Sequence, residues 1–133
     1  MREFSWPVRV YWEDTDAGGI VYYANYLRFL ERSRSEWLRS RGISQIELAR
    51  EPGVLFAVVS ITVDYRRPAR LDDELVVSCE PCADGAVCMR FSQRILRIGE
   101  PAPLVTAELR VACVDARTMR PRKLPEPLLA LLK

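Results

Sequence analysis

The sequence predicts an α+β domain in which one long helix covers an antiparallel sheet. Three observations predict it. The segment Ala24 to Arg41 carries an apolar stripe at helical spacing. Five other segments alternate apolar and polar residues, as half-buried strands do. Four of those five follow the helical region, so strands are grouped rather than interleaved with helices, which is α+β order.

The first strand is expected over Val8-Arg9-Val10-Tyr11-Trp12, where apolar and polar residues alternate. In the long helix, Tyr26, Leu27, Leu30, Trp37 and Leu38 fall on one stripe and Arg28, Arg32, Ser35 and Arg39 on the other side. Arg32 and Glu36 stand four apart and can pair weakly. Gly42 falls where a C-terminal cap belongs. Ser44, with Glu47 three residues on, reads as a capping box for a short second helix through Arg50, which Pro52-Gly53 ends.

Strands follow on Val59, Ile61, Val63 and Tyr65, then on Leu75, Val77 and Cys79. After the turn at 83–86 comes a set on Met89, Phe91 and Ile95, and Gly99 and Pro101 separate it from a last set running from Val105 to Cys113. Leu128 to Leu132, after Pro125-Glu126-Pro127, reads as a final short helix. No repeat or linker interrupts the chain, so residues 1–133 are expected to form one domain.

With 49% hydrophobic and 29% charged residues, the composition is that of a globular domain. The net charge of +2 is too small to argue for nucleic acid. No apolar run approaches the roughly 18 residues a bilayer span requires, and the first residues lack the apolar core of a signal peptide. A cytoplasmic protein with no stable membrane insertion is therefore expected, with its four cysteines reduced. Cys79 and Cys82 form a C-x-x-C without a second pair or any histidine, so neither metal nor cofactor is expected. Cys88 and Cys113 alternate with apolar neighbours and read as small core residues.

The chain contains no histidine. Serine–histidine, cysteine–histidine and histidine–metal chemistries are thereby excluded, and acid–base work falls to Asp, Glu, Tyr, Lys or Cys. The segment Asp14-Thr15-Asp16-Ala17-Gly18-Gly19-Ile20-Val21-Tyr22-Tyr23-Ala24-Asn25-Tyr26 sets a carboxylate on a flexible turn just ahead of a helix start with free amides. A carboxylate facing backbone N–H donors is a minimal kit for attack on a carbonyl. Asp16 can equally be a turn cap. Asp14 reads as a turn or supporting residue, and Glu13 as exposed. Tyr22 and Tyr23 suit packing around the helix start, and Asn25 either orients Asp16 or caps the helix. Glu31 reads as a solvated or interface residue. Arg66, Arg67 and Arg70, like Arg120, Arg122 and Lys123, are either solvated edges or phosphate contacts.

The element order, the Asp16 segment, the run 64–73 and the closing run 117–125 together resemble the hot-dog fold: a five-stranded antiparallel sheet wrapped around a long central helix. The Asp16 segment is similar to the 4-hydroxybenzoyl-CoA thioesterase branch, and most similar to the acyl-CoA thioesterases associated with the Tol–Pal system. The resemblance implies hydrolysis of an acyl-CoA, with a short aliphatic or hydroxybenzoyl-type acyl group. Asp16 would be nucleophile or general base, and the Tyr23 N–H would polarise the thioester carbonyl. Gly19, Tyr22, Asn25, Arg66 and Arg67 would contact substrate. Many Tol–Pal-associated members carry histidine where this chain has Tyr23, which bears on substrate more than on chemistry. The resemblance also implies a homo-oligomer, dimer or tetramer, with the site formed between subunits, and cell-envelope or lipid-metabolism partners. Tyr11, Trp12 and Tyr26 are the aromatic residues expected near the acyl group. A non-catalytic acyl-CoA-binding or assembly module is the alternative. Hydratases of this fold use a histidine with a carboxylate, which the histidine-free chain cannot supply.

Overall fold

The computed structural model describes residues 3–132. The chain ends at Met1, Arg2 and Lys133 lie outside the described residues, so the expectations on the leading residues and on a domain of 1–133 extend beyond them. The elements are strand β1 (Phe4–Arg9), a 3-10 turn (Trp12–Asp14), helix α1 (Asn25–Ser40) and helix α2 (Gln45–Arg50). Strands β2 (Val54–Tyr65), β3 (Glu74–Asp84), β4 (Cys88–Arg97) and β5 (Val105–Asp115) follow, and helix α3 (Glu126–Leu131) closes the chain. The five strands form one sheet in the order β1-β3-β4-β5-β2, antiparallel at every pairing. The expected α+β order is observed.

The first strand differs from its expected span. It lies earlier, at Phe4–Arg9, and pairs with β3 from Phe4↔Cys79 to Arg9↔Glu74. Trp12 instead opens the 3-10 turn, because the Asp14 carboxylate turns back to accept the Tyr11 N–H at 2.9 Å.

Helix α1 lays one face on the sheet, burying Tyr26, Phe29, Leu30, Ser33, Trp37 and Leu38. Leu27, assigned to that stripe, is exposed, and Phe29 takes its place. Trp37 meets Phe91 of β4 edge-on, with ring centroids 6.0 Å apart. Burial of such large side chains dominates the core's stability. Two buried polar side chains on this seam, Ser33 and Gln93, are hydrogen-bonded across it, whereas the Trp37 indole N–H has no partner among the described residues. Ser33 Oγ donates to the Val77 carbonyl at 2.9 Å, and Gln93 Nε2 to the Leu30 carbonyl at 3.0 Å. Such bonds remove the cost of burying a bare polar atom. Glu36 pairs with Arg39 rather than Arg32, whose guanidinium lies over the Phe29 ring.

Gly42, at φ 77°, ends α1 as expected. It donates to the Arg39 carbonyl, while Ile43 donates to that of Leu38. Ser44 Oγ accepts the Glu47 N–H at 3.2 Å and caps α2.

The strands β3, β4 and β5 bury Leu75, Val77, Cys79, Met89, Phe91, Ile95 and the alternate residues of β5. Strand β2 departs from the expected pattern. It is the outer strand beside β5, and its register shifts between Val58 and Ser60. Val58, Val59 (53% exposed), Ile61 and Tyr65 remain open to solvent. No helix among the described residues is long and apolar enough to cross a membrane.

Candidate active site

The site is built on the crossing from the 3-10 turn to α1. Asp14 is 7% exposed. Its carboxylate holds the Tyr11 N–H, and its backbone carbonyl accepts from two groups: the Tyr22 N–H at 2.9 Å and Asn25 Nδ2 at 2.9 Å. One residue thus fixes both ends of the loop that carries Asp16. Thr15 Oγ1 donates to the Trp12 carbonyl at 2.8 Å, and Thr15 bridges to Val21.

Inside that closure lies a tight turn. The Asp16 N–H donates to the Ile20 carbonyl at 2.9 Å and the Gly19 N–H to the Asp16 carbonyl at 3.1 Å. Gly19 sits at φ 79°, in the left-handed region that a side chain resists. Asp16 Oδ1 accepts the Gly18 N–H at 2.8 Å. The turn-holding role therefore exists, but it uses one oxygen. Oδ2 has no hydrogen-bond donor among the described residues. Asp16 is exposed and lines an open hollow with Trp12, Thr15, Ala17, Gly19 and Leu71.

The next segment turns into α1. The Asn25 N–H donates to the Tyr22 carbonyl at 2.8 Å. Ala24 precedes the helix with near-helical angles and no side-chain cap. Asn25 neither caps the helix nor contacts the Asp16 carboxylate; its side chain is spent on the Asp14 carbonyl. The Tyr22 N–H is likewise engaged. The Tyr23 and Ala24 N–H groups have no acceptor among the described residues. They sit at the positive end of the α1 dipole.

The aromatic residues are arranged differently from expectation. Trp12 lines the hollow and is 80% exposed. Tyr11 is exposed on another surface beside Trp6 and Arg32. Tyr26 is buried, and its hydroxyl accepts the Ala69 N–H at 2.9 Å. Burial pushes the Tyr26 hydroxyl above the ordinary tyrosine range. Tyr22, Tyr23 and Tyr65 instead form an exposed cluster, with Tyr22–Tyr23 centroids at 5.0 Å and Tyr23–Tyr65 at 6.0 Å. Tyr65 was legible only as one more strand residue, yet its hydroxyl donates to the Tyr23 carbonyl at 3.1 Å.

Arg66 and Arg67 leave β2 outside the hollow. Arg67 is tied to the Ala102 carbonyl at 2.8 Å and to Glu100 at 3.2 Å. The Arg66 and Arg70 side chains have no partner among the described residues. Arg122 is held by Asp115 and by the Pro52 carbonyl. Cys79 is buried and Cys82 exposed. Burial pushes the Cys79 thiol up to about 12, so it is no thiolate at neutral pH. Cys113 is buried as expected, whereas Cys88 is half-buried. Among the described residues no group of three or more Cys, Asp or Glu is placed to hold a metal ion.

Comparison with known proteins matches residues 10–132 to the profile of the thioesterase-like superfamily. The acyl-CoA thioester hydrolase YbgC of Escherichia coli O157:H7 is 48% identical over 130 residues, covering 98% of this chain and 96% of that one. The acyl-CoA thioesterase YbgC of Haemophilus influenzae is 43% identical, covering 96% and 92%. Among solved structures, a probable thioesterase from Bartonella henselae superposes with a TM-score of 0.87 at 34% identity, over 93% of this chain and all of that one. A 1,4-dihydroxy-2-naphthoyl-CoA thioesterase from Synechocystis has the same fold, with a TM-score of 0.91 at 22% identity, over 98% and 96%. A sheet of this topology, a long helix on its face and these matches across nearly the whole length lead to one assignment: the chain belongs to the thioesterase-like superfamily and has its hot-dog fold.

Proposed function

We propose that this protein is an acyl-CoA thioester hydrolase whose Asp16 carboxylate acts on the thioester carbonyl while the Tyr23 N–H receives the developing oxyanion. The observation that carries the reading is the Asp16 turn. It holds one carboxylate oxygen against Gly18 and leaves the other without a donor beside an open hollow, on a loop tied to a helix start with unpaired amides. The identity to relatives named as acyl-CoA thioester hydrolases supports the substrate class.

The chemistry suits a histidine-free chain. A thiolate leaves without protonation by a strong general acid. The bond that breaks is carbonyl carbon to sulfur; the bond that forms brings in an oxygen. Asp16 either adds to the carbonyl carbon, giving an anhydride that water opens, or takes a proton from water as the water adds. Each backbone donor at the oxyanion contributes about 3 kcal/mol in comparable sites. Arg66 and Arg70 are suited to the CoA phosphates, and Arg67 joins them by exchanging its exposed Glu100 partner. Gly19 gives the substrate close approach to the backbone.

A hot-dog subunit of this kind works as an oligomer. The open outer strand β2 offers unpaired backbone groups and exposed Val59 and Ile61 to a second copy. Dimer or tetramer, the site then lies between subunits.

The test is thiol release from short aliphatic, long aliphatic and hydroxybenzoyl-CoA, with Asp16→Asn alongside. Turnover lost by at least about a hundredfold in the variant, with folding unchanged, supports the reading. Near-full activity in the variant overturns the mechanism. Tight acyl-CoA binding without turnover identifies a non-catalytic binding module instead. Label entering Asp16 during single turnover in 18O-water identifies the anhydride route, because water that attacks the Asp16 carbonyl of the anhydride leaves its oxygen there.

A further inference from the structure

Two successive peptide groups at the entry to α1 are pinned by their carbonyls. The Tyr22 carbonyl accepts the Asn25 N–H at 2.8 Å. The Tyr23 carbonyl accepts the hydroxyl of Tyr65, from the far end of β2, at 3.1 Å. Both peptides are trans, since the only cis bond lies at Glu51–Pro52 among the described residues. In a planar trans peptide the N–H points opposite to the C=O. Fixing the Tyr22 carbonyl therefore aims the Tyr23 N–H, and fixing the Tyr23 carbonyl aims the Ala24 N–H. The bond from the Asn25 N–H to the Tyr22 carbonyl closes a four-residue turn, and Ala24 at φ −72° and ψ −21° marks it as type I, in which Tyr23 is near-helical too and the Tyr23 and Ala24 N–H groups run in nearly the same direction.

The clamp is made by a side chain distant in sequence and held from several sides. The Tyr65 ring meets that of Tyr23 edge-on at 6.0 Å and that of Tyr26 at 5.6 Å. Its backbone is paired to Val105. Desolvation first, then the neighbouring tyrosines, raise the Tyr65 hydroxyl above the ordinary tyrosine range, so it remains a donor across the neutral range.

We infer that Tyr65 is a positioning residue: its hydroxyl fixes the Tyr23–Ala24 peptide so that the Ala24 N–H serves beside that of Tyr23 as a second donor to the thioester oxygen. The inference rests on the thioesterase reading above and adds a donor and its support to it. Because Tyr65 acts through a peptide that meets the transition state, its loss falls on kcat rather than on substrate binding.

The experiment is Tyr65→Phe, which keeps the ring and removes only the hydroxyl. Two readouts are taken: steady-state kinetics on the best acyl-CoA, and the amide resonance of Ala24 by NMR in the unliganded protein. The expected result is a kcat lower by about threefold to tenfold, the size of one neutral hydrogen bond, with KM and melting temperature little changed. The Ala24 resonance shifts in the same variant. An unchanged kcat, a change in KM alone or an unmoved Ala24 resonance each overturns the inference. Should the wild-type chain turn over no acyl-CoA, the thioesterase reading fails by itself. The Ala24 resonance then still decides whether Tyr65 fixes the peptide.

Discussion

Asn25 donates its side-chain amide to the backbone carbonyl of Asp14 at 2.9 Å, joining the first residue of α1 to the residue two before Asp16. The same oxygen holds the Tyr22 N–H. This contact sets where the carboxylate lies relative to the amides ahead of the helix. Asn25→Asp replaces a donor by an acceptor of the same shape, and sets two acceptors face to face. It is expected to destabilise by about 1–3 kcal/mol at neutral pH, against about 1 kcal/mol for Asn25→Ala. Urea melts at pH 7 measure both variants. Equal stability of the two variants at pH 7 contradicts it.

The glycines of the turn separate strain from positioning. A Cβ on Gly18 would stand 3.2 Å from Asp16 Oδ1, whereas one on Gly19 would meet nothing within 4 Å. Gly19, however, is at φ 79°. Gly19→Ala is therefore expected to cost about 1–2 kcal/mol of stability through backbone strain. Gly18→Ala is expected to leave the melting temperature nearly unchanged and to lower kcat, because the Asp16 carboxylate must turn. Wild-type kcat in Gly18→Ala would show that the carboxylate's aim is immaterial.

Much of this was legible in the sequence because it is written in side chains. Tyr26, Leu30, Trp37 and Leu38 lie on the buried face of α1 as their spacing requires, and Gly42 and Ser44 cap as their types require. Ser33 and Gln93 were not legible as interior residues. Their burial depends on backbone carbonyls of other elements, at Val77 and Leu30, which leave no mark in a hydropathy pattern. The same holds at the site. Asp16 and the glycines announce a turn, but the Asp14 carbonyl that organises it could be any residue's carbonyl. Trp12 read as a strand residue because alternation ignores the capping contact that bends the chain at Tyr11. In β2 the alternation is real, yet the shift at Val58–Ser60 and the outer position leave Val58, Val59, Ile61 and Tyr65 uncovered within the subunit.

That uncovered edge makes a prediction about assembly. A long outer strand with exposed Val59 and Ile61 is a template for pairing unless a partner covers it. Wild type at micromolar concentration is expected to scatter light as a dimer or tetramer. Ile61→Lys is expected to lower that mass, because it sets a charge in the covered strip. Since Ile61 is exposed in the subunit, the fold itself should survive, as circular dichroism would report. A variant of unchanged mass would place the interface elsewhere.

The closing run offers a prediction in acid. Asp115 Oδ1 accepts the Arg117 and Thr118 N–H groups, each at 2.9 Å, and Oδ2 accepts Arg122 Nη1 at 3.0 Å. The Thr118 and Arg117 amides first, and then the Arg122 guanidinium, hold the Asp115 carboxyl down to about 2. A depressed folded pKa contributes stability above the unfolded value, roughly 3.9, and that contribution is lost as pH falls towards the folded one. Asp115→Asn keeps an acceptor but loses the charge and one accepting oxygen. It should therefore be less stable than wild type by a constant margin from about pH 7 to pH 5. The margin should narrow between about pH 4 and pH 2, as the wild-type carboxyl takes up its proton. Urea melts of both proteins across that range measure it. A margin that stays flat down to pH 2 would mean that the loop is held by its backbone and not by this charge.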